Sequence, residues 1–173
     1  MASTARDSLA ALAALLAPGI PDVAERVTSA HDDPDGHLRA HADRLDDRGV
    51  DEPVPNLAWI ALVDALTDHG LLAEVDWKEE PEEVVARLRA LGSAPDAPAW
   101  AWLDGADTGV PTYDFLELAG DGLHEAGTAL AVLDIESDCY PLVLLPAAQG
   151  PDLVDLAAEA GFRADVLGTP EAE

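Results

Sequence analysis

His37 and His41 stand four residues apart, the spacing that puts two imidazoles on one helix face where both can reach one metal ion. His31 and several aspartates are close in sequence, so a carboxylate could complete a three-ligand site. Leu38 holds the place of the glutamate in the H-E-x-x-H signature, which leaves the pair without a ready general base. The segment around them is polar on every side, the pattern of solvated surface histidines rather than of a dry metal pocket. Asp104 and Asp107 form a second set, in Asp104-Gly105-Ala106-Asp107-Thr108-Gly109. A strand-ending aspartate resembles the first acid of a metal-dependent phosphoryl-transfer or nuclease site. The same stretch is an ordinary turn of Asp and Gly, and its spacing to Asp114 does not match a calcium loop. Glu136 and Asp138 sit just before Cys139, where acidic neighbours hold a thiol protonated and so unsuited to nucleophilic work. P-loop, G-x-G-x-x-G, G-x-S-x-G and C-x-x-C motifs are absent. The expectation is a protein without cofactor and without catalytic residues. The alternative is a metal-dependent hydrolase using Asp104, Asp107 and Glu136, or the His37/His41 pair.

Charge narrows the partners. The chain of 173 residues carries 35 acids against 9 bases, a formal net charge of −26, and is 49% hydrophobic, enough to build a core. Such a surface has no cations to exchange for the counterions of DNA or RNA, and anionic membranes repel it. Residues 91–173 hold 16 acids and a single base, Arg163. Self-repulsion of this size is relieved by salt or by a cationic partner. Salt adaptation or a GC-rich genome would leave the same composition. One cysteine rules out an intrachain disulfide, and the apolar run from Leu9 to Ala17 is cut off by Pro18-Gly19, too short for a membrane span. These features point to a cytoplasmic protein.

The elements that must position these residues follow from periodicity. Leucines at helical spacing predict a helix over 7–17 capped by Asp7 or Ser8, and further helices follow Asp22, span 37–48, follow Asn56 and start at Pro81. Leu71 to Val75 reads as a short strand or an extended linker. Ser93 to Pro98 is the clearest linker, dividing a helical region, 1–92, from an α+β layer, 99–168. In that layer, Trp100-Ala101-Trp102-Leu103 reads as a strand, 111–127 as a helix despite Gly120 and Gly122, and 128–135 and 140–145 as a hairpin. A helix from Pro151 and a strand over 162–167 complete a β-α-β-β-α-β order. The fold class expected is α+β: a ferredoxin-like sandwich with its helices on one sheet face, and the N-terminal helical half packed on the other as part of one compact unit.

Three motifs in this order resemble a bacterial domain-of-unknown-function family, number six-six-three-zero. They are Asp76-Trp77-Lys78-Glu79 before an acidic helix start, Trp102-Leu103-Asp104, and Asp134 through Ser137-Asp138-Cys139-Tyr140. The resemblance covers residues 57–160 and implies a small soluble bacterial protein, with no catalytic mechanism to carry over. It is also similar to accessory and immunity proteins that bind a partner. Cys139 departs from the small polar residue expected there.

Charge and resemblance together predict a non-enzymatic protein that binds a basic partner protein, in the manner of an immunity protein or antitoxin covering a toxin's active-site cleft. Asp104, Asp107, Glu136 and Asp138 would steer the partner, and Trp100 or Trp102 would anchor it.

Overall fold

Helix α1 (Ala5–Leu16) begins one turn earlier than its leucines suggest. Thr4 is the N-cap, its hydroxyl accepting the Asp7 backbone N–H at 3.1 Å, and the Asp7 carboxylate reaches back to the Thr4 N–H to close a capping box. The protein is described here from a computed structural model covering residues 4–106 and 108–168. Helices α2 (Pro21–Asp32), α3 (Pro34–Ala40), α4 (Ala42–Asp47) and α5 (Leu57–Asp68) follow. The single helix expected over 37–48 is broken at His41, whose backbone leaves the helical region. Asn56 precedes α5 as expected but makes no side-chain cap; its amide donates to the Ile135 carbonyl at 3.2 Å instead.

Strand β1 (Ala73–Asp76) is the segment that could be read either as strand or as linker. After α6 (Pro81–Arg89) the chain does not form the strand expected at Trp100–Leu103. Residues Ala97–Gly105 are a 3-10 helix. Pro95 and Pro98 remove the donors a sheet ladder would need, and β1 already holds the sheet edge. Trp100 and Trp102 then pack inward as a lid on α7 (Thr112–Glu125), with ring centroids of Trp102 and Phe115 6.0 Å apart. The two glycines of α7 have specific tasks. A Cβ at Gly122 would overlap the Trp102 ring, and one at Gly120 would overlap the Leu167 carbonyl.

Strands β2 (Thr128–Leu133) and β3 (Cys139–Pro146) form the expected hairpin, and α8 (Gly150–Glu159) and β4 (Ala164–Val166) complete the chain. The fold is α+β, with one antiparallel sheet in the order β1-β3-β2-β4. In this order β1 and β2 are parallel with β3 between them, and β3 and β4 are parallel with β2 between them. Both crossovers step across the sheet in the same direction from strands that point oppositely. Two right-handed crossovers of that kind must lie on opposite faces.

The packing agrees. One apolar cluster joins α6, α7 and Trp100 to Val75, Leu130, Val132, Leu142 and Leu144. The other joins α1, α2, α5 and α8 to Ala129, Ala131, Leu133, Val143 and Leu145. Helices therefore cover both faces, with α8 beside the helical half, whereas the ferredoxin-like expectation put the two crossover helices on one face. Alpha5 is caught between α2 and the sheet, and every residue from Leu57 to Leu66 is buried. No helix is long and apolar enough to cross a membrane among the described residues.

Candidate functional site

Two of the sequence motifs meet at one end of the sheet. The register sets Asp76 opposite Cys139 and Val75 opposite Tyr140, so the turn that leaves β1 and the turn that enters β3 lie side by side. The first turn is built by Asp76. Its carboxylate accepts the Lys78 N–H at 3.0 Å and its carbonyl accepts the Glu79 N–H at 2.9 Å. This folds the chain sharply and leaves Trp77 52% exposed, with the Lys78 ammonium 4.6 Å from its ring centroid. The Thr112 hydroxyl donates to the Glu79 carbonyl at 2.8 Å and ties the start of α7 to the same turn.

The second turn is held by Asp134, which accepts the Glu136 N–H at 2.8 Å, and by Ser137, whose hydroxyl oxygen accepts the Cys139 N–H at 3.2 Å. Glu136 takes a φ of 60°, the left-handed region that costs a side-chain-bearing residue about 1 kcal/mol. Asp76, Glu80, Glu82, Asp134, Glu136 and Asp138 are all exposed around this end. Cys139 is half-buried, and its thiol is pushed up in pKa by burial and then by the Glu74 and Asp76 carboxylates, so it stays protonated.

Lys78 is the cation of this turn, and three arginines are engaged away from it. Arg48 bridges Asp64 on α5, at 2.6 Å, and Glu74 on β1. Burial works against the charge on Arg48, and the hydrogen bonds to Glu74 and Asp64 more than offset it, so its pKa is raised. Arg44 reaches Asp64 at 3.2 Å and also Asp68; Arg26 reaches Asp68 at 2.6 Å and Asp22 at 3.1 Å. Asp22 in turn accepts a contact from His69 at 2.9 Å. The Asp68 carboxyl is held low by Arg44 and Arg26 against the opposing effect of its burial. This chain of charges fastens α2, α4 and α5 to β1 and occupies Arg26, Arg44 and Arg48.

The residues singled out from sequence distribute as follows. Glu136 and Asp138 belong to the acidic sheet end. Asp104 is exposed at the close of the 3-10 helix, on the layer outside α7, and Asp107 lies outside the described residues. Trp100 is not a surface anchor: it is 4% exposed, donates its indole N–H to the Pro95 carbonyl at 3.3 Å, and carries Arg89 over its ring. Trp102 is half-buried against Gly122 and Phe115, which likewise makes it a packing residue. His37 is not a solvated histidine; it is 5% exposed with its ring 4.5 Å from that of His41. Among the described residues, no group of three or more His, Cys, Asp or Glu side chains is placed to hold a metal ion.

The exposed tryptophan is Trp77, which the sequence places in the Asp76-Trp77-Lys78-Glu79 motif, rather than the expected anchors Trp100 and Trp102. Its signal was present, since it sits between acids and lysine with only Val75 as an apolar neighbour in β1, while the other tryptophans lie in apolar runs. No curated protein and no solved structure matches the chain. Residues 8–167 match the family described as Domain of unknown function (DUF6630), which spans the helical half as well as the sheet, and the chain belongs to that family.

Proposed function

We propose that this protein binds a basic partner protein through the acidic end of its sheet, with Trp77 as the anchor, and that it acts by covering the partner's surface rather than by catalysis. The observation that carries the reading is Trp77 itself, a large aromatic held out of the core by the Asp76 turn, with Lys78 over its ring and exposed carboxylates on the two turns at this end. An apolar centre with a charged rim is the arrangement that concentrates binding energy in protein interfaces. The rim would steer a cationic surface at long range, and burial of the indole would hold it. Glu136 supports this, because a carboxylate kept in a strained backbone conformation gives up stability that glycine would recover.

An immunity- or antitoxin-like inhibitor, working in the cytoplasm on a toxin's basic cleft, is the most economical form of this function. The single free cysteine suits a reducing compartment.

The test is capture of a partner from the native lysate on immobilised protein at low salt, with wild type, Trp77→Ala and Glu136→Gln/Asp138→Asn compared. We expect wild type to retain a basic protein that salt elutes. Trp77→Ala should weaken it by about 30-fold, the worth of a central aromatic contact, and the double variant should mainly slow association. Equal retention by Trp77→Ala would overturn the assignment.

A further inference from the structure

The two edges of the sheet are treated differently. On β1 the outward carbonyl of Glu74 is taken by the Arg87 guanidinium at 2.7 Å, which blocks that edge. On β4 the Arg163 carbonyl and the Leu167 N–H bond to β2, at 3.0 and 2.8 Å, so strand alternation turns the N–H and C=O of Val166 outward. Among the described residues, no backbone hydrogen bond is made to either group. Val166 opens into a groove of about 670 Å³ between the outer flank of α7 and the start of α8. Its walls offer exposed apolar surface at Tyr113 and Val154, 43% and 38% exposed. They also carry three carboxylates, Glu117, Asp155 and Asp165. Glu117 accepts the Gly168 N–H at 3.1 Å, and Asp165 is paired with Arg163 at 3.0 Å, the one arginine in the lining.

We propose that this groove docks an extended segment of a partner protein, whose backbone pairs with Val166 and whose lysine or arginine side chain is seated among Glu117, Asp155 and Asp165. The lining is net acidic on a molecule of charge −26, so an acidic or neutral strand gains nothing from it, while a cationic side chain with an aliphatic stem matches both walls. The groove lies along the β4 edge, the sheet edge opposite β1, and approaches the Trp77 turn only at Tyr113, whose ring centroid is 5.8 Å from that of Tyr140; Trp77 itself does not line it. The proposal therefore does not rest on the Trp77 reading, and either can fail alone.

The probe is a synthetic peptide of alternating valine and lysine, with two controls: the same peptide N-methylated at alternate amides, and a valine–glutamate peptide. Binding is followed by calorimetry and by amide chemical shifts. We expect the valine–lysine peptide to bind one-to-one, with shifts confined to β4, the start of α8 and the Tyr113–Glu117 turn, and the glutamate peptide not to bind. N-methylation should weaken binding about tenfold, the worth of one or two backbone hydrogen bonds. Val166→Pro should do the same, since its N–H serves no ladder bond, and Asp155→Lys gives an independent reading if the proline variant does not fold. Trp77→Ala should bind the peptide as wild type does. The proposal is overturned if the methylated peptide binds as well as its parent, if Asp155→Lys is without effect, or if shifts spread over every acidic face. It is also overturned if wild type self-associates and Val166→Pro does not, which would assign the edge to a second copy of the chain.

Discussion

Glu136 and His37 show how single side chains give up stability in this protein. At φ 60° Glu136 is a position glycine would occupy with less strain. Glu136→Gly is expected to raise unfolding free energy by up to about 1 kcal/mol in denaturant titration while weakening partner capture; a destabilised variant would mean the carboxylate has a structural role. His37 is lowered in pKa from 6.5 by burial first and by His41 and Arg26 next, with Asp64 opposing. The unfolded chain therefore takes up this proton before the native one does as pH falls. The stability that His37 contributes is complete above about 6.5 and declines below it until the native ring also titrates. Denaturation midpoints measured across this range should slope downward with falling pH in wild type and less so in His37→Gln. The Asp22 and Asp68 carboxyls, both held low, act in a separate window below 3.8.

Among the elements, α7 makes the sharpest demand. Alanine is a better helix former than glycine by about 1 kcal/mol, yet at Gly120 its Cβ would meet the backbone of Leu167. Gly120→Ala is expected to lower the thermal midpoint, with a net cost of about 1–2 kcal/mol once overpacking is set against propensity; a raised midpoint would show that the Leu167 segment moves freely. The same helix illustrates what the sequence could convey. The leucine and valine patterns located α1, α2, α5 to α8 and the β2–β3 hairpin, because runs this apolar must be buried in helical or extended form; the polar 37–48 segment, with a thinner stripe, gave one helix where there are two. The run Trp100 to Leu103 did not disclose its form, since four apolar residues suit a strand and a 3-10 helix alike and the decision lay with the prolines before it and with β1 at the edge. The placement of α8 on the second face depended on which edge β4 joined, and local pattern carries no information about that. At the site, the acids of the 134–138 turn were legible directly, whereas Trp77 showed only in its polar neighbours, because the exposure of a tryptophan is settled by the turn that Asp76 makes.

For the molecule as a whole, 35 acids against 9 bases leave most carboxylates without a cationic partner and repelling one another across the surface, three of the arginines being engaged around Asp64, Asp68 and Glu74. Raising potassium chloride from low to high concentration should increase the thermal midpoint by several degrees through screening, and an unchanged midpoint would mean the carboxylates are too far apart to matter. The sheet links this surface to a divided interior. Strands β2 and β3 supply Leu130, Val132, Leu142 and Leu144 to one apolar cluster and Ala129, Ala131, Leu133, Val143 and Leu145 to the other. Neither helical layer can peel away without stripping one side of these two strands, so among the described residues the hairpin's amides are expected to be the last to admit deuterium, with opening of the turns at the acidic sheet end leaving them protected.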